Sequence, residues 1–339
     1  MLDKAQKEIE GLMKNRDGAS QNELDCVVEI IHKPLKEKGE DSFAYNVERD
    51  DVQTQAVFDG CGGAGSWQYT EYRNATGAFI AAQSMARAYL EWFDKLPSST
   101  FRDTEKTEES FAAMARHILT DLKQHCAPMK VSGTMVKSFP CTASVAFSMP
   151  DTDSVLLSAL NVGDSRVYFL TPNKGLIQLT TDDSQGDPDP MESLRDSAPL
   201  SDMLNADNPF KIKSCQVRLS YPCAVVTATD GVFGYVRSPM DFEYLLLHSI
   251  ICAGSFAHFE ELFKDAIVKV TGDDSTCLIS FYGWGSFENV KRMLSNRYKH
   301  VSSLISGLNE SKNEKGLEYA LNEIWNDYRK QTLFDEIKG

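Results

Sequence analysis

Apolar and polar positions change their period along the chain, and the changes mark out elements. Alternation over residues 42–48 and again over 52–58, with Arg49, Asp50 and Asp51 between them, predicts a β-hairpin. An earlier run at 26–31, closed before Pro34, reads as one further strand. Across 67–93 the residues Ala75, Ala78, Phe79, Ala82, Ala86 and Tyr89 recur at helical spacing, which gives a helix one buried face. Phe111, Met114, Ile118 and Leu122 repeat that spacing within 110–126, after a polar connection at 97–107. Both helices are expected to cover a sheet.

The middle of the chain is strand-rich, with runs at 142–149, 155–160, 166–170, 176–179, 211–219 and 224–229. Most intervals between them are too short for crossover helices, so antiparallel pairing is expected. The exception is 182–209, rich in Asp, Ser, Asn and Pro, which is expected outside the core as a loop or small lid. Helical patterns return at 240–251 and 256–270, and a closing strand is expected at 276–281. Further helical candidates lie at 289–294 and 316–329, the last with Leu317, Leu321 and Ile324 as a stripe suited to packing on the body or to receiving a partner.

Composition then narrows the class. A 42% hydrophobic chain with 18 Phe, 12 Tyr and 4 Trp can bury a core, which excludes disorder throughout. Thirty-five Lys and Arg against 49 Asp and Glu leave a formal charge of -14, which argues against nucleic acid as a main partner. No window reaches the roughly 18 apolar residues of a membrane span. The first twenty residues carry neither a secretory nor a transit pattern, so a cytoplasmic location is expected. Eight scattered cysteines without a CxxC pair read mostly as buried thiols.

Chemistry gathers at the ends of the apolar runs. Asp41 precedes SFAYNVE, Asp59 ends VQTQAVF, Asp164 follows SALNVG, Asp230 ends AVVTAT, and Asp273 with Asp274 precedes STCLISF. Carboxylates brought together there would repel one another and lose solvation, whereas a hard divalent cation accepts such a cluster as oxygen ligands. Taken singly, each has a plainer reading. Asp59–Gly60 and Asp230–Gly231 suit hairpin turns, Asp164 a short loop, Asp41 a solvated strand flank, and Asp273–Asp274 an edge strand kept soluble. GCGGAG at 60–65 lacks the Lys-Ser/Thr ending of a nucleotide P-loop, and no histidine stands in an HExxH pattern.

The ordered set EDSF at 40–43, VFDGCGG at 57–63, CTASVAF at 141–147, NVGDSRVYFL at 161–170, TTDDS at 180–184, TATDGVF at 227–233 and GDDSTCLI at 272–279 resembles the type 2C metal-dependent serine/threonine protein phosphatases, the PPM family. The resemblance spans approximately residues 25–283. It implies an α+β fold, a four-layer α-β-β-α sandwich with two central, mainly antiparallel sheets. It also divides the chain into an N-terminal extension (1–24), a catalytic domain (25–283) that includes the 182–209 loop or lid, and a helical C-terminal extension (284–339).

The activity it implies is hydrolysis of phosphoserine or phosphothreonine in proteins by a metal-activated water, without a phosphoenzyme. Carried over by motif, Asp59 resembles the carboxylate bridging two Mn²⁺ or Mg²⁺ ions, and the Gly60 carbonyl helps hold one. Asp230 and Asp273 match further ligands, Glu40 an acid that positions a metal-bound water, and Asp41 stands at the same sheet end. Asp164, with Asp230, matches the holder of a weaker third ion. Lys36 falls where many relatives place a phosphate-binding Arg, keeping the charge without the bidentate fork.

Two further positions depart from the pattern. Cys61 stands where many eukaryotic members have a proton-donating His, and Asp183 replaces the usual His of the TTDDS segment. These departures keep open an alternative, a weakly active or inactive phosphatase-like domain that binds a regulatory protein.

Overall fold

Two five-stranded sheets, antiparallel at every pairing, take up nearly all of the alternating segments. The computed structural model describes residues 24–34, 39–126, 136–185, 189–195, 199–309 and 314–332. Its strands are β1 (Leu24–His32), β2 (Ser42–Asn46), β3 (Gln53–Phe58), β4 (Gln68–Tyr69), β5 (Ala75–Thr76) and β6 (Ala143–Pro150). There follow β7 (Ser154–Val162), β8 (Arg166–Thr171), β9 (Gly175–Gln178), β10 (Lys213–Ser220), β11 (Cys223–Ala228) and β12 (Ser275–Tyr282). One sheet runs β1-β12-β11-β8-β9 and the other β10-β7-β6-β3-β2, with β4 and β5 forming a small ladder of their own.

The helices on the first outer face are α1 (Gly77–Lys95), α2 (Ser98–Phe101) and α3 (Thr104–His125). Two short helices follow, α4 (Pro190–Arg195) and α5 (Asp230–Phe233). The second outer face carries α6 (Pro239–Cys252), α7 (Phe256–Val268), α8 (Phe287–Asn309) and α9 (Glu314–Thr332).

Strand periodicity decides where each face goes. In β11, Cys223 and Val225 join the core between the sheets, while Ala224, Val226 and Ala228 join the core beneath α6 to α9. In β6, Ala146 faces the other sheet, whereas Val145, Phe147 and Met149 pack beneath α1 and α3. Three apolar cores therefore separate four layers, the predicted α-β-β-α sandwich. Polar pins cross the middle core. Gln55 donates to the carbonyls of Val225 (3.2 Å) and Leu278 (3.1 Å) and accepts from Ser280 Oγ (2.5 Å).

Several expectations are corrected. The helix foreseen across 67–93 begins only at Gly77, because Gly77 N donates to the Trp67 carbonyl (2.7 Å) and Thr76 caps the first turn. Residues 68–76 instead form β4, a single 3₁₀ turn and β5. The helix foreseen at 289–294 extends over Phe287–Asn309, since Val301, Ile305 and Leu308 continue its buried stripe past a polar stretch. Nor does the 182–209 segment stay outside the core. Asp182, Asp183, Asp189, Met191 and Leu204 are all buried, and Cys141 and Leu204 exchange backbone hydrogen bonds of 3.0 Å each.

The C-terminal helix packs on β9 and α8. Trp325 Nε1 donates to both oxygens of Asp189 (2.9 and 3.0 Å), and Arg329 pairs with the same carboxylate at 2.5 Å. The Tyr328 hydroxyl donates to Glu243, a fully buried carboxylate paired at 2.7 Å with Arg297. No described helix is long and apolar enough to cross a membrane.

Candidate active site

The plainer reading holds for Asp164, which lies in the short loop between β7 and β8, and fails for the other acids. Asp59 directly follows β3, but the residue after it bridges to Cys141 and not to a hairpin partner. Asp230 opens α5, so it makes no hairpin turn. Asp273 leads into β12, which lies between β1 and β11 and is not an edge strand. Asp41 is 2% exposed, hence no solvated flank.

Each acid is aimed by its local chain. Asp41 sits one residue before β2 and accepts from Thr229 Oγ1 at 2.8 Å, a bond that ties the start of one sheet to the end of β11 in the other. Thr229 Oγ1 in turn accepts from Thr276 N at 3.0 Å. The Asp59 carbonyl accepts from Thr142 N (2.8 Å), fixing the exit of β3 against the approach to β6. Asp164 follows Gly163, whose φ of +95° suits glycine, and a Cβ there would meet Thr142 Cγ2 at 2.5 Å.

Glu40 is bracketed on three sides. Its backbone N donates to Asp274 Oδ2 (2.5 Å), and its carboxylate accepts from the Thr76 hydroxyl. A Cβ on Gly62 would fall 2.1 Å from Glu40 Oε2, so a side chain there would displace that carboxylate.

The charges of these groups are felt mutually. Burial first, then the charges of Asp230, Asp41 and Asp164, push Asp59 well above the carboxylate range. Burial and the charge of Asp230 do the same to Asp164. Asp41 is pushed up to about 7 by burial, with Asp230 and Asp274 adding and the Thr229 and Thr276 hydrogen bonds opposing. Burial and Asp273 raise Asp230 to about 6, against the opposing Gly231 N–H and Arg166. Glu40 is raised chiefly by burial.

Arg166 crosslinks the loops that carry two of these acids. Its guanidinium makes paired bonds to Asp182 (2.9 and 2.6 Å), donates to the Tyr168 hydroxyl (3.2 Å) and lies 4.2 Å from the ring centroid of Phe233, the last residue of α5. Asp183, which departs from the family pattern, accepts from Gly163 N (3.0 Å) and pairs with Lys213 (2.6 Å).

Among the described residues, no three His, Cys, Asp or Glu side chains are gathered closely enough to ligate an ion as they stand. The donor set nevertheless fits a hard divalent cation. Its side-chain donors are carboxylate oxygens, their mutual charge favours a proton or a cation, and Asp164 Oδ1 is buried with no hydrogen-bond partner. A soft metal fits less well, because the Cys61 thiol beside Asp59 is pushed well up by burial and by the neighbouring carboxylates.

The structure therefore brings Asp41, Asp59, Asp164 and Asp230 into one another's field, with Asp273 and Glu40 beside them. Lys36 lies outside the described residues. Sequence reasoning missed the hydroxyls of Thr76 and Thr229 and the Arg166–Asp182 pair. A threonine directly before a helix start, as at 76, is the signal that was available for the first.

The family profile described as Protein phosphatase 2C matches residues 32–263. Comparison with curated protein sequences gives no match. Among solved structures, the serine/threonine phosphatase Stp1 from Staphylococcus aureus is 16% identical with a TM-score of 0.56, over 79% of this chain and 98% of its own. A bacterial serine phosphatase is 16% identical over 76% and 97% of the two chains, with a TM-score of 0.55. The Mycobacterium tuberculosis serine/threonine phosphatase PstP/Ppp gives 14% identity, 76% and 99% coverage and a TM-score of 0.52. At these identities the structural likeness speaks for the fold, and the profile match across most of the sandwich speaks for descent: the chain belongs to the protein phosphatase 2C family.

Proposed function

We propose that this chain hydrolyses phosphoserine and phosphothreonine in proteins with the aid of Mn²⁺ or Mg²⁺, in the cytoplasm. The observation that carries the reading is the convergence of Asp41, Asp59, Asp164 and Asp230 from separate strand ends. Asp59, the Gly60 carbonyl, Asp230, Asp273 and Asp41 would hold a pair of ions, and Asp164 with Asp230 a third. Bound there, such ions acidify a water and neutralise phosphoryl charge, so that no covalent phosphoenzyme is needed.

The chain's own residues set the stage for that chemistry. Thr229 holds Asp41 toward the seam between the sheets, and Thr76 keeps the Glu40 carboxylate facing Gly62. Glu40, raised chiefly by burial, is suited to accept a hydrogen bond or a proton from a water at the site. Lys36 would supply positive charge to the phosphate. Residues 25–283 form the catalytic unit in this reading, with 284–339 as a helical extension.

The alternative, a weakly active domain that binds a regulatory protein, draws on Cys61. Its buried thiol is held protonated and is a poor substitute for an imidazolium acid.

Phosphate release from a phosphoserine peptide panel, measured with and without Mn²⁺ or Mg²⁺, separates the two. Metal-dependent release that Asp230→Asn abolishes, while calorimetry shows its ion binding weakened and its melting intact, supports the enzyme. Ion binding without release from any peptide favours the alternative.

A further inference from the structure

Among the described residues the exposed large apolar side chains are Tyr235, Val268, Val270 and Tyr319, and of these Tyr235 touches the acidic site. Val268 ends α7 and Val270 lies on the connection from it to Asp273 and β12, and Tyr235 follows α5, whose first residue is Asp230. The Tyr235 ring is held although it is 46% exposed. Its hydroxyl donates to Asp273 Oδ2 at 3.4 Å, and its edge lies against Gly272, where a Cβ would stand 3.4 Å from Cε1. A fixed, half-covered aromatic face beside a cluster of carboxylates offers apolar contact and repels negative charge.

We propose that Tyr235 determines specificity, its ring forming the apolar wall on which the residue flanking the phosphorylated side chain of a peptide packs. The proposal rests on the phosphopeptide reading above. The favoured substrate carries an apolar residue next to the phosphoserine, and an acidic residue there meets carboxylates of its own sign.

The test compares wild type, Tyr235→Phe and Tyr235→Ala at saturating Mn²⁺ on three substrates: a Leu-flanked phosphopeptide, an Asp-flanked phosphopeptide and an aryl phosphate. Loss of the hydroxyl's hold on Asp273 is common to both variants and acts on every substrate alike. Loss of the ring belongs to Tyr235→Ala only. The expected result is wild-type preference for the Leu-flanked peptide, retained by Tyr235→Phe, with KM for that peptide about tenfold higher in Tyr235→Ala than in Tyr235→Phe, as removal of a half-buried aromatic contact implies. On the other two substrates the variants should match each other. Equal KM values for the two variants on all three substrates would overturn the assignment to the ring, as would a wild type indifferent to the flanking residue. Absence of metal-dependent release from any substrate would sink the phosphatase reading and this proposal together.

Discussion

A carboxylate as buried as Asp41 is tolerable only because a hydroxyl meets it, and that hydroxyl belongs to Thr229 in the other sheet. Thr229→Val keeps the side-chain shape and removes the donor. It should cost about 1–3 kcal/mol in urea unfolding, the range for leaving a buried polar group unpaired, and should raise the Mn²⁺ concentration needed for half-maximal turnover. Unchanged values of both would disprove the coupling. Cys61→Ala has the opposite expectation, appreciable turnover, because a protonated buried thiol contributes neither charge nor a nucleophile. Complete loss of turnover with retained ion binding would revive a thiol mechanism. The acids themselves were legible in the sequence because each sits at the tip of an apolar run. Their hydroxyl partners were not: Thr76 lies 36 residues from Glu40 and Thr229 lies 188 from Asp41, separations that only the tertiary fold closes.

At the scale of elements, Thr76 has two tasks. As the N-cap of α1 its hydroxyl accepts from Phe79 N at 3.2 Å, and it donates to Glu40. Thr76→Ala should therefore lower stability by roughly 1 kcal/mol, as cap losses do, and also lower turnover, whereas Thr76→Ser should restore both. A stability loss without any change in turnover would leave Thr76 as a cap alone. Strands with strict alternation and a charged turn, such as β2 and β3, were readable because register and pattern agree. Residues 68–76 were misread as helix since Ala75 continues the spacing of Ala78, Ala82 and Ala86, and the backbone bond from Gly77 to Trp67 that stops it has no sequence signature. The 182–209 segment looked like surface because its composition is polar. Asp182 and Asp189 are buried all the same, each paired with an arginine, a context composition does not reveal.

The whole molecule shows why the site and the sandwich are one problem. Asp41 and Asp59 belong to one sheet, Asp230 and Asp273 to the other, and Asp164 to the crossing from β7 to β8, so repulsion among them acts across the seam that Gln55 and the middle core hold shut. Asp41 at about 7 and Asp230 at about 6, with Asp59 and Asp164 also raised, all lie above the roughly 3.9 of an unfolded aspartate. Between those values the folded chain binds more protons than the unfolded one, so this contribution to stability is complete below about pH 4 and is lost as pH rises through 6 to 7. In the presence of a chelator the melting temperature should accordingly fall from pH 5 to pH 8. Mn²⁺ should restore it at pH 8 and matter little at pH 5, where protons already neutralise part of the cluster. Asp41→Asn keeps an acceptor for Thr229 and removes one titrating group, so it should flatten the slope. Scanning calorimetry across that range decides the matter: a metal-free melting temperature that holds level or rises toward pH 8 would mean that burial and mutual charge do not raise these carboxylates, and a slope that Asp41→Asn leaves untouched would mean that Asp41 is not among the groups raised.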